Sequence, residues 1–212
     1  MGTFEKGILG GFNGKVGTVV GSTWKGITVM RSTPKARKGG FSNSQLIQQA
    51  KFALMIKFLQ PMADFMNLTY KKAATKMSGF NKVFSDNIKA AIAGVYPALT
   101  IDYTKVILSK GSLPGAVSPV AASTVAGKLV FTWTDNSNNG TALSSDIAFV
   151  AAYNEALNQW IFNSNAAARS AGTVTLDVTA FSGKPAQTYI GFMSADRNKT
   201  ANSLYTGVVN IL

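Results

Sequence analysis

The stretch Gly127-Lys-Leu-Val-Phe-Thr-Trp-Thr134 decides the fold of the C-terminal half of this chain. Its large apolar side chains, Leu129, Phe131 and Trp133, stand at every second position, and a threonine follows each of the two aromatic residues. Alternation of this kind is typical of a strand with one buried face and one exposed face. The stretch therefore predicts a core strand of an antiparallel sheet.

Six further runs of strand character lie close to this stretch, separated by turn-forming residues such as Asn136-Ser-Asn-Asn-Gly140. Seven short strands with one Trp near the start predict an antiparallel β-sandwich over residues 113–212. The other six predicted strands are 117–124, 147–153, 159–163, 173–178, 187–194 and 203–211.

This region resembles immunoglobulin-like and fibronectin type III modules. Residues 127–134 are similar to the second strand with its core Trp, and Tyr189-Ile-Gly-Phe-Met-Ser-Ala195 is similar to the sixth. The resemblance implies an immunoglobulin-like sandwich and no particular activity, because unrelated functions share such folds.

Residues 43–94 carry apolar side chains at helical spacing. The first helix is predicted to begin with Ser42 or Asn43 as its cap and to end at Pro61, which can open a second helix. The apolar face of the first helix consists of Leu46, Ile47, Ala50, Ala53, Leu54 and Phe58.

A third helix is predicted over residues 80–93, with Gly94 as its left-handed C-terminal cap. A strand at 99–109 follows and completes a helical assembly domain over residues 43–112. Because helices and antiparallel strands occupy separate parts of the chain, the predicted fold class is α+β.

Residues 1–42 are rich in glycine and predict a basic β arm. Two β-prone pieces, 15–20 and 24–31, favour a two-stranded hairpin with Gly21-Ser22-Thr23 as its turn, followed by a basic linker at 34–40. Such a hairpin is marginal alone in water, so we expect it to lie against its own chain or a neighbouring copy. The predicted assembly residues are Val16, Val19, Val20, Trp24, Ile27 and Val29.

The whole net charge of +12 lies in residues 1–110, which hold 16 Lys or Arg and 4 acidic residues, whereas 111–212 hold 5 of each. We therefore expect an acidic partner for residues 1–60, which include the arm. The candidate polyanion-binding residues are Lys15, Lys25, Arg31, Lys35, Arg37 and Lys38.

The composition argues against an enzyme. The chain has no Cys and no His, and its nine carboxylates leave few candidates for an acid–base pair. We therefore expect no catalytic residue, no metal site and no cofactor. The N-terminal sequence contains no signal-peptide core and no run long enough to span a membrane, so we expect synthesis in the cytoplasm.

The whole chain is also similar to an uncharacterised family of about this length from Bacteroidota and their mobile elements. The stretches that carry the similarity include Gly7-Ile-Leu-Gly-Gly-Phe-Asn-Gly14, Phe58-Leu-Gln-Pro61, Ile107-Leu-Ser-Lys-Gly-Ser112 and Phe131-Thr-Trp-Thr-Asp135. The similarity implies a bacterial or phage setting and no catalytic residues.

Three functions stay open from the sequence. The first is a non-enzymatic subunit that self-assembles through its arm and helices, displays the sandwich, and ends in a phage particle or an extracellular filament. The second is a basic protein that binds or packages nucleic acid. The third is a carbohydrate-binding sandwich that uses surface aromatic residues such as Trp160.

Overall fold

The computed structural model describes residues 3–4, 12–24, 26–35 and 39–212 of the chain. The chain divides into two compact units, Met1–Ser42 and Asn43–Leu212. The sequence led us to expect separate domains at 43–112 and 113–212, but the helices and the sandwich belong to the same unit. The α+β class is confirmed.

The first unit contains a four-stranded antiparallel sheet in the order β1-β2-β3-β4. The two-stranded hairpin is therefore wrong, and so is its turn at 21–23, because Gly21 lies inside a strand and pairs with Met30. The chain turns instead at Gly17 and Gly26, whose φ values of +58° and +78° are readily adopted by glycine. The strands are β1 Thr3–Phe4, β2 Phe12–Val16, β3 Val19–Trp24 and β4 Ile27–Ser32.

The second unit begins with three α-helices: α1 Asn43–Leu59, α2 Ala63–Thr69 and α3 Gly79–Ala90. Pro61 lies in the single 3-10 turn between α1 and α2, at a position where its missing N–H costs nothing. Ser78 caps α3 by accepting a hydrogen bond from the N–H of Asn81 at 3.1 Å. No helix in the described part of the chain combines the length and the apolar character needed to cross a membrane.

The segment after α3 differs from the prediction. Gly94 is not a helix cap, because α3 already ends at Ala90 and a hairpin follows, formed by β5 Ile92–Val95 and β6 Ala98–Ile101. The predicted strand at 99–109 stops at Ile101, because side chains bind the backbone that a neighbouring strand would need. The N–H of Ile107 donates to Asn87 Oδ1 at 2.9 Å, and the N–H of Leu108 donates to Ser203 Oγ at 2.8 Å.

The C-terminal strands form two antiparallel sheets, ordered β11-β8-β7 and β10-β9-β12-β13. All seven predicted strands are present, with ends that differ by a few residues at most places. The strands are β7 Val117–Val125, β8 Lys128–Thr134, β9 Ile147–Asn154, β10 Gln159–Ala168, β11 Thr173–Asp177, β12 Pro185–Met193 and β13 Leu204–Asn210.

The sheet that contains β9 is buried on both faces. One face of β9 contributes Ala148 and Val150 to the core that also holds Phe131 of the other sheet. The opposite face contributes Phe149 and Tyr153 to a second core, which is shared with the helices. The sandwich therefore shares a core with the helices, which cover one of its faces.

Trp160 joins the helices to the sandwich. Its indole N–H donates to the carbonyl oxygen of Phe58 at 2.7 Å, and the two ring centroids lie 5.0 Å apart. The side chain belongs to the second core and Trp160 is only 7% exposed. The prediction of Trp160 as a surface aromatic for glycan binding is therefore wrong, because the ring packs against α1.

Arg169 forms a buried polar centre inside the sandwich. Its Nε donates to Asp146 Oδ2 at 3.1 Å, its Nη1 to Asn136 Oδ1 at 2.6 Å, and its Nη2 to the carbonyl oxygen of Pro114 at 2.9 Å. The guanidinium carbon lies 3.8 Å from the centroid of the Phe192 ring. Arg169 thus contacts the linker before β7, both ends of the β8–β9 loop and the core.

Candidate self-association edge and cationic cleft

Strand β4 forms one edge of the sheet in the first unit, and no other described strand pairs with its outer side. All six of its residues are exposed. They include Ile27 at 44%, Val29 at 47% and Met30 at 64% exposure. An exposed apolar edge strand offers unpaired N–H and C=O groups to another strand.

The hydrogen-bonding side of each β4 residue follows from the register. Trp24 and Ile27 are partners on either side of a two-residue connection, so they form a hydrogen-bonded pair. Along the β3–β4 ladder from there, non-hydrogen-bonded and hydrogen-bonded pairs alternate. The N–H of Thr33, which donates to the carbonyl oxygen of Thr18 at 2.7 Å, agrees with this alternation. The N–H groups of Thr28 and Met30 consequently point away from β3.

The predicted assembly residues divide between the two faces of this sheet. Val20 pairs with both Lys15 and Arg31, so these three residues share one face. Val16 and Val19 pair with each other on the opposite face. The predicted residues therefore do not form one continuous apolar surface.

Three of the predicted polyanion-binding residues are described, and Lys15, Arg31 and Lys35 are all exposed. Only Lys15 and Arg31 are brought together by the sheet, in one row across β2, β3 and β4. The predictions for Lys25, Arg37, Lys38 and the side chain of Trp24 lie outside the described residues.

A cationic cleft in the second unit was not predicted. It has a volume of about 510 Å³ and lies where the end of α2, the linker before the sandwich and the β12–β13 loop meet. Cavities of this size accommodate small ligands. Its basic lining residues are Lys71, Lys72, Lys82, Lys110, Arg197 and Lys199.

Hydrogen bonds hold the three walls of this cleft together. Thr200 Oγ1 lies 3.0 Å from the carbonyl oxygens of both Thr69 and Lys110, and its single proton is shared between these two acceptors. Gly111 N–H donates to Asn202 Oδ1 at 3.1 Å. A Cβ at Gly111 would lie 2.1 Å from the carbonyl oxygen of Thr200, so this close approach requires glycine.

Asp86 on α3 pairs with two of the six cationic side chains. It forms ion pairs with Lys82 and with Lys110, the latter at 3.5 Å. Burial alone would raise the pKa of Asp86, but its hydrogen bond and charge interactions with Lys82 and Lys110 outweigh that effect and lower the pKa.

We expect the Asp86→Asn variant to be less stable at pH 7 by up to about 1 kcal/mol. Because the pKa of Asp86 is lower in the folded state, its contribution is complete above the unfolded value of about 3.9 and is lost as the pH falls through the folded value. Urea unfolding at pH 7 and near pH 3 should therefore show a smaller acid-induced loss for the variant than for the parent. Equal losses would contradict the assignment.

The other four cations of the cleft, Lys71, Lys72, Arg197 and Lys199, have no ion pair with any described residue. Asp196 lies close enough to Lys72 for their charges to interact. Hydrogen bonds from Ser194 and Asn198 lower the pKa of Asp196 to about 2, so its carboxylate is ionised at neutral pH.

A match over most of the chain decides its family. The model of the family DUF6266, described as a family of unknown function, matches residues 11–207. This chain belongs to the DUF6266 family. No curated protein matches this DUF6266 member.

The solved structures similar to this DUF6266 protein include fibronectin type III domains. The fn3 domain of human collagen alpha-1(XX) chain is 13% identical, with a TM-score of 0.37 over 49% of this chain and 90% of that one. The FN1–FN3 domains of chicken CNTN1 are also 13% identical, with a TM-score of 0.36 over 48% of this chain and 35% of that one. A structure described as a myokine is 12% identical, with a TM-score of 0.30 over 47% and 92%.

Proposed function

We propose that this DUF6266 protein is a non-enzymatic structural subunit that assembles with copies of itself. The observation that carries the proposal is the exposed, apolar outer edge of β4, with which no strand in the described part of the chain pairs. A strand from a neighbouring copy would extend the sheet there, with main-chain hydrogen bonds supplying affinity and alternate side chains supplying specificity.

Two further features support an assembly role. Arg31 is the only charged residue of β4, so the strand carries little of the charge that usually protects sheet edges from association. In the second unit, α1 exposes Phe52 at 50%, and the tip of the β5–β6 hairpin exposes Val95 at 83%. Large exposed apolar side chains of this kind suit contact with other subunits.

The setting of the proposed assembly is a phage particle or an extracellular filament of bacterial origin. In that assembly, the helices and the first unit provide the subunit contacts and the sandwich is displayed. Synthesis takes place in the cytoplasm, and the subunit needs no cofactor or metal.

Met30→Pro in the full chain tests the proposed edge. It removes an N–H that points away from β3, so the β3–β4 ladder keeps its hydrogen bonds while the outer edge loses a donor. We expect self-association, measured by light scattering over a concentration series, to weaken by roughly tenfold or more.

Met30→Leu is the matched control, because it keeps an apolar side chain of similar size and retains the N–H. It should assemble like the parent, and Thr28→Pro, which removes another outward donor, should behave like Met30→Pro. A parent that is monomeric at every concentration, or proline variants that assemble unchanged, would contradict the proposal.

Nucleic-acid binding is the alternative, and the row formed by Lys15 and Arg31 is the observation that favours it. A complex held by phosphate contacts should weaken steeply as salt increases, whereas an assembly held by apolar contacts and main-chain hydrogen bonds should persist. Measuring oligonucleotide binding and particle size over the same salt series distinguishes the two functions.

A further inference from the structure

We propose that the cationic cleft of the second unit binds a short oligophosphate, meaning a compact ligand with several linked phosphate groups. This proposal is independent of self-association through β4, because the described residues that line the cleft run from Leu68 to Asn202.

The charge balance of the cleft favours a multiply charged anion. Six cationic side chains line it, and the two nearby carboxylates, Asp86 and Asp196, leave a local charge of about +4 by simple counting. Asp86 positions Lys82 and Lys110 along one wall. Arg197 and Lys199 extend from the β12–β13 loop and supply the kind of donors that bind phosphate oxygens.

The framework of the cleft is organised before any ligand arrives. Thr69 and Thr200, which link its walls, are 2% and 8% exposed, and their hydroxyl groups are already hydrogen-bonded to the backbone of neighbouring segments. Binding would therefore order flexible cationic side chains above a fixed base, which limits the entropic cost.

The lining residues also indicate which phosphate source fits. None of the described residues that line the cleft is aromatic, so they offer no ring on which a nucleobase could stack. Proteins that bind single-stranded nucleic acid generally combine a cationic groove with such aromatic platforms. The chemistry therefore favours a free oligophosphate over a single-stranded nucleic acid.

The test is calorimetric titration of the full chain with tripolyphosphate at about 20 mM salt, where exposed charges are only weakly screened. The cleft variant combines Lys71→Gln, Lys72→Gln, Arg197→Gln and Lys199→Gln. The control variant makes the same change in net charge outside the cleft, with Lys51→Gln, Lys57→Gln, Lys89→Gln and Lys184→Gln.

We expect the cleft variant to bind tripolyphosphate at least about tenfold more weakly than the parent, and the control variant to stay within roughly twofold. Both variants should keep the parent's melting temperature, because the substituted side chains are outside the cores. Neither variant changes β4, whose proline variants test self-association separately. Failure of this proposal would therefore be distinguishable from failure of the self-association proposal.

Three outcomes would overturn the assignment. The parent could fail to bind tripolyphosphate. Alternatively, the two variants could lose the same affinity, which would show that net charge and not the cleft determines binding. Thirdly, an oligothymidylate with the same number of phosphates could bind more tightly than tripolyphosphate and lose that affinity in the cleft variant, which would assign the cleft to nucleic acid instead.

Discussion

Arg169→Met is expected to lower the free energy of unfolding of the second unit by about 3–5 kcal/mol. The guanidinium of Arg169 is fully buried, and its removal would leave the carboxylate of Asp146, which is also buried, without a positive partner. The carbonyl oxygen of Pro114 would lose a hydrogen bond as well. Urea unfolding followed by circular dichroism measures the change.

A second substitution separates two contributions to the lost free energy of unfolding: the unpaired buried charge and the loss of packing. Adding Asp146→Leu to Arg169→Met removes the uncompensated carboxylate, so the double variant should recover part of the lost stability. Lys89→Met is the matched control, because Lys89 is exposed and forms no ion pair with a described residue. A loss below about 1 kcal/mol, or additive losses in the double variant, would show that Arg169 does not have this role.

Phe58→Ala is expected to lower the free energy of unfolding by about 3–5 kcal/mol, because it opens a cavity in a close-packed core. The Phe58 ring is 1% exposed, and its centroid lies 4.8 Å from that of Tyr153 and 5.0 Å from that of Trp160. Phe52→Ala on the same helix is the control, because Phe52 is 50% exposed, and its loss should be much smaller.

The same experiment tests whether the helices and the sandwich unfold together. Far-ultraviolet circular dichroism follows the helices. Tryptophan fluorescence, measured with Trp24→Phe in every protein compared, reports on Trp133 and Trp160 in the sandwich. Because the second core contains residues from both parts, the two signals should give one coincident transition in the parent and in the Phe58→Ala variant. Separate transitions would contradict a shared core.

The strands of the sandwich could be predicted because their local patterns and their tertiary roles agree. In β8, Leu129, Phe131 and Trp133 alternate in the sequence and are all buried on the same face. The turn-forming residues around them fixed the spacing between strands. Helix α3 begins at Gly79, close to the predicted start at residue 80, and Ser78 supplies a local cap that the prediction did not use.

The burial of β9 on both faces has a signal in the sequence that the prediction did not use. Residues 147–153 are all apolar, and a continuous apolar run is typical of a strand covered on both faces. The prediction assigned 147–153 to a sandwich formed by residues 113–212 alone, with no face reserved for the helices.

The cationic cleft and the Arg169 centre could not be predicted from local sequence. Lys72 and Lys199 lie far apart along the chain, and a balanced charge count over 111–212 conceals the contribution of Arg197 and Lys199. Arg169 is a single cation in a polar segment, with no nearby pattern that predicts burial. Tertiary contacts over many residues create both features.

The sheet β10-β9-β12-β13 carries a consequence for how such a sandwich is inherited. Recombination that moved residues 113–212 alone into another protein would transfer the side chains of Phe149, Tyr153, Trp160 and Tyr189 without the helices that shield them. The recipient would acquire an exposed aromatic surface and would tend to aggregate. Exchange of this sandwich between genes is therefore restricted to pieces that bring α1 and α2 along.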